Sequence, residues 1–166
     1  MQQLWAPWRA ELIQQRGPPG CIFCLFPAET GAGADRRNLI VARTERSFAI
    51  LNRFPYNNGH LMVVPRRHAG DFASLSTEES ADLQRLLQRS TAVLNEAYRP
   101  EGMNLGMNLG KSAGAGIADH LHWHVVPRWA GDTNFMPVLA DTKVMIEHLD
   151  STFDTLQPLF RERGGG

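Results

Sequence analysis

The residues best suited to chemistry in this chain are histidines, and half of its six histidines lie between positions 120 and 124. His120, His122 and His124 follow one another at two-residue spacing in the segment HLHWHVVPR. Successive side chains of a β-strand point to opposite faces, so this spacing predicts three imidazoles on one face, about 6.5–7 Å apart. On a helix the same side chains would diverge. The pattern therefore predicts a strand with chemistry on its polar face.

Three imidazoles on one face are typical of two kinds of site. They could ligate a catalytic zinc ion that keeps an open position for water. Alternatively, His122 could be a nucleophile, with its neighbours serving as ligand and proton donor. A solvent-facing row without chemistry is less favoured, because a Gly-rich loop precedes the three histidines.

The two cysteines form the pattern Cys21-Ile22-Phe23-Cys24. Two cysteines do not make a secreted disulfide scaffold, and this spacing indicates a metal or redox site. A thioredoxin-type role is weakened because no βα unit of that kind follows. The other interpretation is a pair of small buried apolar residues.

Composition narrows the class of protein. At 166 residues the chain can bury its own core, and we expect residues 1–166 to form one domain. Its 17 Lys and Arg balance its 17 Asp and Glu, which argues against nucleic acid or an anionic membrane as partner. No apolar run approaches the roughly 18–20 residues of a membrane span. The start lacks the features of a signal peptide, so a cytoplasmic location is expected.

Several elements are expected around the histidines. Ser76-Thr77-Glu78-Glu79 is a capping box that opens a helix, which should end before Pro100. Residues 28–35 are expected to form a surface loop, and turn chemistry at 55–59 predicts a hairpin. The expected strands span residues 38–44, 47–54, 60–65 and 103–110, with a last helix at 141–160. This order predicts an α+β domain with a mostly antiparallel sheet.

Residues 120–126 resemble the signature of the histidine triad (HIT) superfamily, in which three histidines alternate with apolar residues. Residues 48–55 (FAILNRFP) and 59–65 (GHLMVVP) resemble the nucleotide-binding hairpin of that family. Residues 106–110 (GMNLG), with the small-residue loop after them, are similar to its next strand and phosphate-facing loop.

This resemblance covers Cys21 to Arg128. WAPWR at residues 5–9 and GDTNF at residues 131–135 further resemble a bacterial branch related to diadenosine tetraphosphate phosphorylases. The resemblance implies a HIT-like fold with about five antiparallel strands and two main helices. It also implies three parts: a zinc-anchored N-terminal segment (1–37), a core (38–128) and a C-terminal extension with a helix (129–166).

The resemblance implies different roles for the second and third histidines. His122 aligns with the family nucleophile, which attacks the α-phosphorus of a nucleotide and forms a nucleotidyl-histidine that water or phosphate resolves. A backbone carbonyl on the other ring nitrogen would fix its tautomer. An imidazole with a pKa near 6.5 is available for this attack without a large shift. His124 aligns with the position that contacts phosphate or the leaving group.

The resemblance also implies a structural zinc ion. In the zinc-bearing branch, a cysteine pair joins a histidine after the hairpin and the first triad histidine. Those positions are Cys21, Cys24, His68 and His120 in this chain. Four nitrogen and sulfur ligands would close a tetrahedral site with no position for water.

Substrate contacts are implied at the hairpin and the next strand. Asn52 aligns with a residue that hydrogen-bonds ribose hydroxyls, although it could instead cap its own strand. Asn108 matches a position that contacts phosphate, and Asn104 shares its strand face by parity. His60 is expected beside the site as a structural hydrogen-bonding residue.

The loop before the triad departs from the family pattern. Hydrolytic members often carry Gln followed by Ser or Thr there, and this chain has Gly116 and Ile117. A glycine lets the backbone amide approach phosphate closely. Lys111 and Ser112 could bind a second anion such as inorganic phosphate, while Lys111 could equally be a solvated loop charge.

Together with these residues, the resemblance implies a nucleotidyl-transferring enzyme that cleaves dinucleoside polyphosphates by phosphorolysis or hydrolysis through nucleotidyl-His122. The alternatives are a purine nucleoside phosphoramidase-type hydrolase, a three-histidine metallohydrolase and a nucleotide-binding protein with little catalysis. The third histidine argues against hexose-1-phosphate uridylyltransferase, whose matching position resembles Gln. The family resemblance further implies a homodimer.

Overall fold

The computed structural model describes residues 20–132, 145 and 147–164. Within these residues the helices are α1 (Ile22–Ala28), α2 (Ala34–Arg37), α3 (Thr77–Tyr98) and α4 (Leu149–Glu162). The strands are β1 (Ile40–Arg43), β2 (Ser47–Leu51), β3 (Leu61–Pro65), β4 (Gly102–Met107) and β5 (Trp123–Arg128). Single 3₁₀ turns span Phe72–Ser74 and Lys111–Ala113.

The five strands form one sheet in the order β1-β2-β3-β5-β4, and every neighbouring pair is antiparallel. The hairpin predicted between β2 and β3 is present, with Leu51 opposite Leu61. In the part of the chain that the structure describes, two long helices and two short ones accompany the sheet. The predicted α+β fold with five antiparallel strands and two main helices is confirmed.

The helix α3 covers β2, β3 and β5, and α4 packs against α3 and β1. The predicted capping box is present, because the Ser76 hydroxyl accepts the Glu79 amide and the Glu79 carboxylate accepts the Ser76 amide. The helix ends at Tyr98, where Arg99 adopts a left-handed conformation with φ of 46° before the proline. The side chains of Leu83, Leu86, Leu87 and Leu94 on this helix are buried.

The loop predicted at 28–35 is shorter than expected, because α1 includes Ala28 and α2 begins at Ala34. The last helix begins at Leu149, while most of the predicted start at 141–148 lies outside the described residues. The WAPWR segment and residues 133–135 also lie outside them, so the one-domain organisation stays a prediction. No described helix has the length and apolar character to cross a membrane.

The histidine segment is less regular than its spacing predicts. β5 begins at Trp123, so only the third histidine, His124, lies in the strand. Continuing the register of β3 against β5 would place Pro65 opposite Leu121, and proline has no N–H for the ladder. The Leu121 amide instead donates to the Ala69 carbonyl at 2.7 Å. The first two histidines are therefore held by side-chain contacts rather than by strand pairing.

Candidate active site and metal centre

Four side chains that could hold a metal ion lie together beyond the end of β3. Cys21, Cys24, His68 and His120 each offer one sulfur or nitrogen atom, and these atoms all lie within 4.8 Å of one another. The Cys21 sulfur is 3.2 Å from His120 Nδ1, and the Cys24 sulfur is 3.4 Å from His68 Nδ1 and 3.6 Å from His120 Nδ1. The structure therefore brings together the four residues implied by the resemblance.

The first turn of α1 positions the cysteine pair. The Cys24 and Leu25 amides both donate to the Cys21 carbonyl at 3.0 Å. Residues three apart on a helical turn lie on the same side, so both sulfurs face one point. This helix was not predicted from the sequence.

The segment that carries His68 is fixed by its neighbour Arg67. The Arg67 guanidinium donates to both carboxylate oxygens of Glu79, at 2.7 and 2.9 Å, and to the Ser74 carbonyl at 2.8 Å. The Arg67 guanidinium and the Ser76 amide hold the pKa of Glu79 at about 2. The Arg67–Glu79 ion pair therefore links the capped start of α3 to the segment that carries His68.

The first histidine of the triad is completely buried. His120 Nε2 lies 2.9 Å from the Pro65 carbonyl oxygen, which can only accept a hydrogen bond. The proton of the neutral ring is therefore on Nε2, and the Nδ1 lone pair faces the two thiols. This orientation matches the metal-ligating histidines whose other nitrogen donates to a backbone carbonyl.

His122 is held by the backbone of His120. Its Nδ1 donates to the His120 carbonyl at 2.8 Å, so the neutral ring carries its lone pair on Nε2. The Phe23 ring closes one side of the imidazole, with the ring centroids 5.1 Å apart. Burial lowers the pKa of His122, and the hydrogen bond to the carbonyl opposes that shift only in part. A buried, neutral imidazole with an oriented lone pair can act as a nucleophile at physiological pH.

His124 is oriented by a second histidine, His60, which is 1% exposed. The backbone amides of proteins can only donate, and the Tyr56 amide donates to His60 Nδ1 at 3.0 Å. The neutral His60 ring must then carry its proton on Nε2, which lies 2.9 Å from His124 Nδ1. His124 accepts at Nδ1 and therefore keeps its own proton on Nε2. The geometry makes His124 a hydrogen-bond donor at that nitrogen.

A cavity of about 390 Å³ begins at His124 and follows the neighbouring strands β5 and β4. Asn104, Gly106 and Asn108 line it from the β4 side, and Tyr56 lines it from the hairpin. Its volume falls in the range of small-molecule sites. The third triad histidine therefore borders a space that can accept part of a ligand.

The other predicted substrate residues are placed differently. Asn52 does not line this cavity; its Oδ1 accepts the Phe54 amide at 3.0 Å, and its Nδ2 lies 3.4 Å from His60 Nδ1. This contact matches the capping alternative. Lys111, Ser112 and Gly116 lie on the loop that joins β4 to the histidine segment, are exposed, and do not line the cavity.

Several side chains at the site were not assigned from the sequence, among them Phe23, Tyr56, Arg128 and Asp132. Arg128 could have been identified from the two-residue period of a strand, because counting in steps of two from His122 and His124 reaches Arg128 on the same face. Tyr56 stacks near His60 and His124, with ring centroids 4.6 and 5.6 Å away, and no pattern within the turn signals that contact. Phe23 could have been placed only by knowing that α1 folds over the triad.

Comparison with known proteins gives a consistent relationship. The family described as HIT domain matches residues 35–131. AP-4-A phosphorylase of Mycobacterium tuberculosis is 42% identical over 157 residues, which cover 92% of this chain and 80% of that protein. Bis(5'-adenosyl)-triphosphatase of Dictyostelium discoideum is 36% identical over 56% of this chain and 62% of that protein.

Among solved structures, the Zn-bound histidine triad family protein from Mycobacterium smegmatis superposes with a TM-score of 0.66. It is 23% identical, and the alignment covers 87% of this chain and 95% of that chain. This likeness supports the fold described above.

The orientation of His124 can be tested without a substrate. We expect long-range ¹H–¹⁵N spectra to show His124 with its proton on Nε2. Replacing His60→Phe keeps a ring against Tyr56 but removes the donor, so a mixture of the two tautomers should appear. His60→Gln, whose amide can still donate, should preserve the Nε2–H form. An Nδ1–H tautomer of His124 in the wild-type protein would contradict the assignment, and the exposed His148 serves as the control resonance.

Proposed function

Since the chain belongs to the HIT family, we propose that it cleaves dinucleoside polyphosphates such as diadenosine tetraphosphate through a nucleotidyl-His122 intermediate. The observation that carries this proposal is the orientation of His122, whose Nδ1 donates to the His120 carbonyl and whose Nε2 holds the lone pair. The substrate class is supported by the similarity to AP-4-A phosphorylase over nearly the whole chain and to bis(5'-adenosyl)-triphosphatase.

In the first proposed step, His122 Nε2 attacks the α-phosphorus, and the bond from phosphorus to the oxygen of the leaving nucleotide breaks. The His120 carbonyl faces the positive charge that forms on the imidazole, and its dipole stabilises that charge. The Nε2–H of His124 is proposed to donate to the departing oxygen, because its Nδ1 accepts from His60. In the second step, phosphate or water attacks phosphorus and releases His122.

The loop before the triad is the proposed site for the second reactant. Apart from Gly116 and its two chain neighbours, no heavy atom of the described residues lies within 4 Å of the point where a Cβ of Gly116 would stand, so an anion can approach this backbone. Exposed Lys111 and Ser112 are proposed to bind inorganic phosphate there. Asn108 is proposed to contact substrate phosphate because it lines the cavity beside His124, and Asn52 is proposed to bind ribose.

Zinc is the metal proposed for the Cys21–Cys24–His68–His120 cluster. A tetrahedral zinc ion with ordinary Zn–S and Zn–N lengths separates its ligand atoms by about 3.3–3.8 Å. Of the sulfur-to-nitrogen distances, 3.4 and 3.6 Å lie in that range and 3.2 Å is slightly shorter. Zinc would supply a closed structural link between α1 and the triad, and no step of the reaction passes through it.

A homodimer is proposed through the edge strand β4. This strand is mostly exposed, and Leu105 and Leu109 are 45% and 53% exposed. An exposed edge with apolar side chains is a template for pairing with another chain. The cytoplasmic location and the lack of nucleic-acid and membrane partners remain expectations from the sequence.

The reaction can be tested with diadenosine tetraphosphate, with and without inorganic phosphate. We expect ATP and ADP only when phosphate is present if the enzyme is a phosphorylase, and ATP and AMP without phosphate if it is a hydrolase. Replacing His122→Ala should abolish turnover, because it removes the imidazole that is proposed to form the covalent adduct, while nucleotide binding persists. Chromatography of the products and calorimetric binding separate these effects.

Other outcomes would identify the alternatives. Turnover that survives the His122→Ala substitution would rule out the covalent mechanism. Loss of turnover on chelation, with the fold intact, would favour a metallohydrolase. Cleavage of adenosine 5'-phosphoramidate without cleavage of the tetraphosphate would favour a phosphoramidase, and binding without any turnover would favour a nucleotide-binding protein.

Metal analysis tests the zinc proposal. We expect one equivalent of zinc per chain in the purified protein and a loss of most of it on Cys24→Ser, because a hydroxyl is a poor ligand compared with a thiolate. The melting temperature should fall in parallel, since binding energy at a structural site is folding energy. His148→Ala is the control for loss of an imidazole elsewhere. Wild-type protein that binds no zinc when refolded with the metal would refute the site.

Sedimentation tests the dimer. The wild-type chain should sediment as a dimer, and Leu105→Arg should shift it toward the monomer by placing like charges opposite each other across the paired β4 edges. Phe72→Arg changes a side chain that is similarly exposed, at 46%, on the 3₁₀ turn after β3 and should leave the dimer intact. A monomeric wild-type protein at micromolar concentration would exclude this interface.

A further inference from the structure

The end of the cavity away from His124 carries a charged side chain that the steps above do not use. Arg128 lies four residues beyond His124 on β5, on the same strand face, and both line the cavity. Four residues of strand span about 13 Å. The cavity therefore joins the triad to a guanidinium well beyond the immediate surroundings of the reacting phosphorus.

The Arg128 guanidinium is held in one orientation. Its Nε and one terminal nitrogen donate to the two oxygens of Asp132 at 2.6 and 3.1 Å, and the other terminal nitrogen donates to Asn104 Oδ1 at 2.8 Å. These bonds use three of the five N–H groups, which leaves one on each terminal nitrogen. N–H groups on the terminal nitrogens of a planar guanidinium can donate to phosphate oxygens.

The ion pair with Asp132 does not prevent Arg128 from binding a phosphate. Its side chain is 11% exposed, and it also accepts from Asn57 Nδ2 at 2.9 Å and from the Trp129 amide at 3.3 Å. Its negative charge is therefore shared among several donors. Asp132 and Asn104 act as positioning residues for the guanidinium.

The sheet order indicates which half of a substrate would meet Arg128. The proposed ribose contact, Asn52, follows β2, and the cavity lies over β5 and β4 on the far side of His60. The nucleoside and the leaving group are bonded to the reacting phosphorus through different oxygens and extend from it in different directions. With the nucleoside toward β2, the leaving group extends past His124 along β5.

We propose that Arg128 binds the phosphate chain of the leaving nucleotide and makes the site selective for substrates with an extended polyphosphate. This rests on the proposed function, because it assigns the part of the substrate that departs from phosphorus. A leaving group of one or two atoms would not reach Arg128. A nucleoside triphosphate leaving group would place its phosphates between His124 and the guanidinium.

The test compares two substrates that share the nucleoside and the attacking histidine. Diadenosine tetraphosphate releases ATP, and adenosine 5'-phosphoramidate releases only ammonia. Replacing Arg128→Met should lower kcat/KM for the tetraphosphate about tenfold to a hundredfold, as loss of a charged hydrogen bond predicts, mainly through KM. The phosphoramidate should be cleaved as by wild type, and Arg128→Lys should be intermediate.

Arg163→Met is the matched control, because Arg163 is 46% exposed and pairs with Glu96, whereas Arg128 is 48% exposed and pairs with Asp132. Equal losses for both substrates would show that Arg128 only supports the fold, and unchanged tetraphosphate kinetics would overturn the proposal. Calorimetric titration of ATP into the wild-type protein and into Arg128→Met compares their ATP affinities and does not depend on turnover. If wild type cleaves neither substrate, the proposed function fails, and equal ATP affinities would then refute the role of Arg128 separately.

Discussion

The arrangement of the site depends on His120, which makes three contacts with different chemistry. Its Nε2 donates to the Pro65 carbonyl, its Nδ1 faces the two cysteine sulfurs, and its own backbone carbonyl accepts from His122. The ring is completely buried, so water cannot replace any of these partners. Because side chain and backbone belong to one residue, the orientation of the metal cluster and that of His122 are coupled. A substitution of Cys21 or Cys24 would therefore affect the orientation of His122 through His120.

The fold was largely predictable because it depends on local signals, and the metal cluster was predictable through the family resemblance. The capping box fixed the start of α3, and the turn residues at 55–59 fixed the hairpin. The four cluster residues were identified from the resemblance, and the structure places their ligand atoms within 4.8 Å. A cysteine pair at i and i+3 is itself a local signal, since one helical turn brings both sulfurs to one side.

The remaining features of the site depend on how distant segments meet, which local patterns do not specify. Strict alternation predicted a strand through all three histidines, but Pro65 lies where the ladder would continue, and β5 begins at Trp123. The contact of Phe23 with His122 requires that α1 fold over the triad. The bonds from Arg128 to Asp132 and Asn104 join β5 to a turn and to β4, so parity alone could place Arg128 on the right face but not identify its partners.

A backbone carbonyl, rather than a carboxylate, orients His122, and this difference affects both steps of the proposed reaction. A carboxylate partner would fix the same tautomer but would also raise the pKa of the imidazole, because a full negative charge favours the cation. The His120 carbonyl is only a dipole and raises the pKa of His122 less than burial lowers it. The pKa of His122 is therefore lowered, and the free base predominates near neutrality. After attack, the nucleotidyl-imidazolium carries a positive charge in the same buried position. The environment that keeps His122 available as a nucleophile thus also disfavours its charged adduct, which keeps the adduct reactive toward phosphate or water.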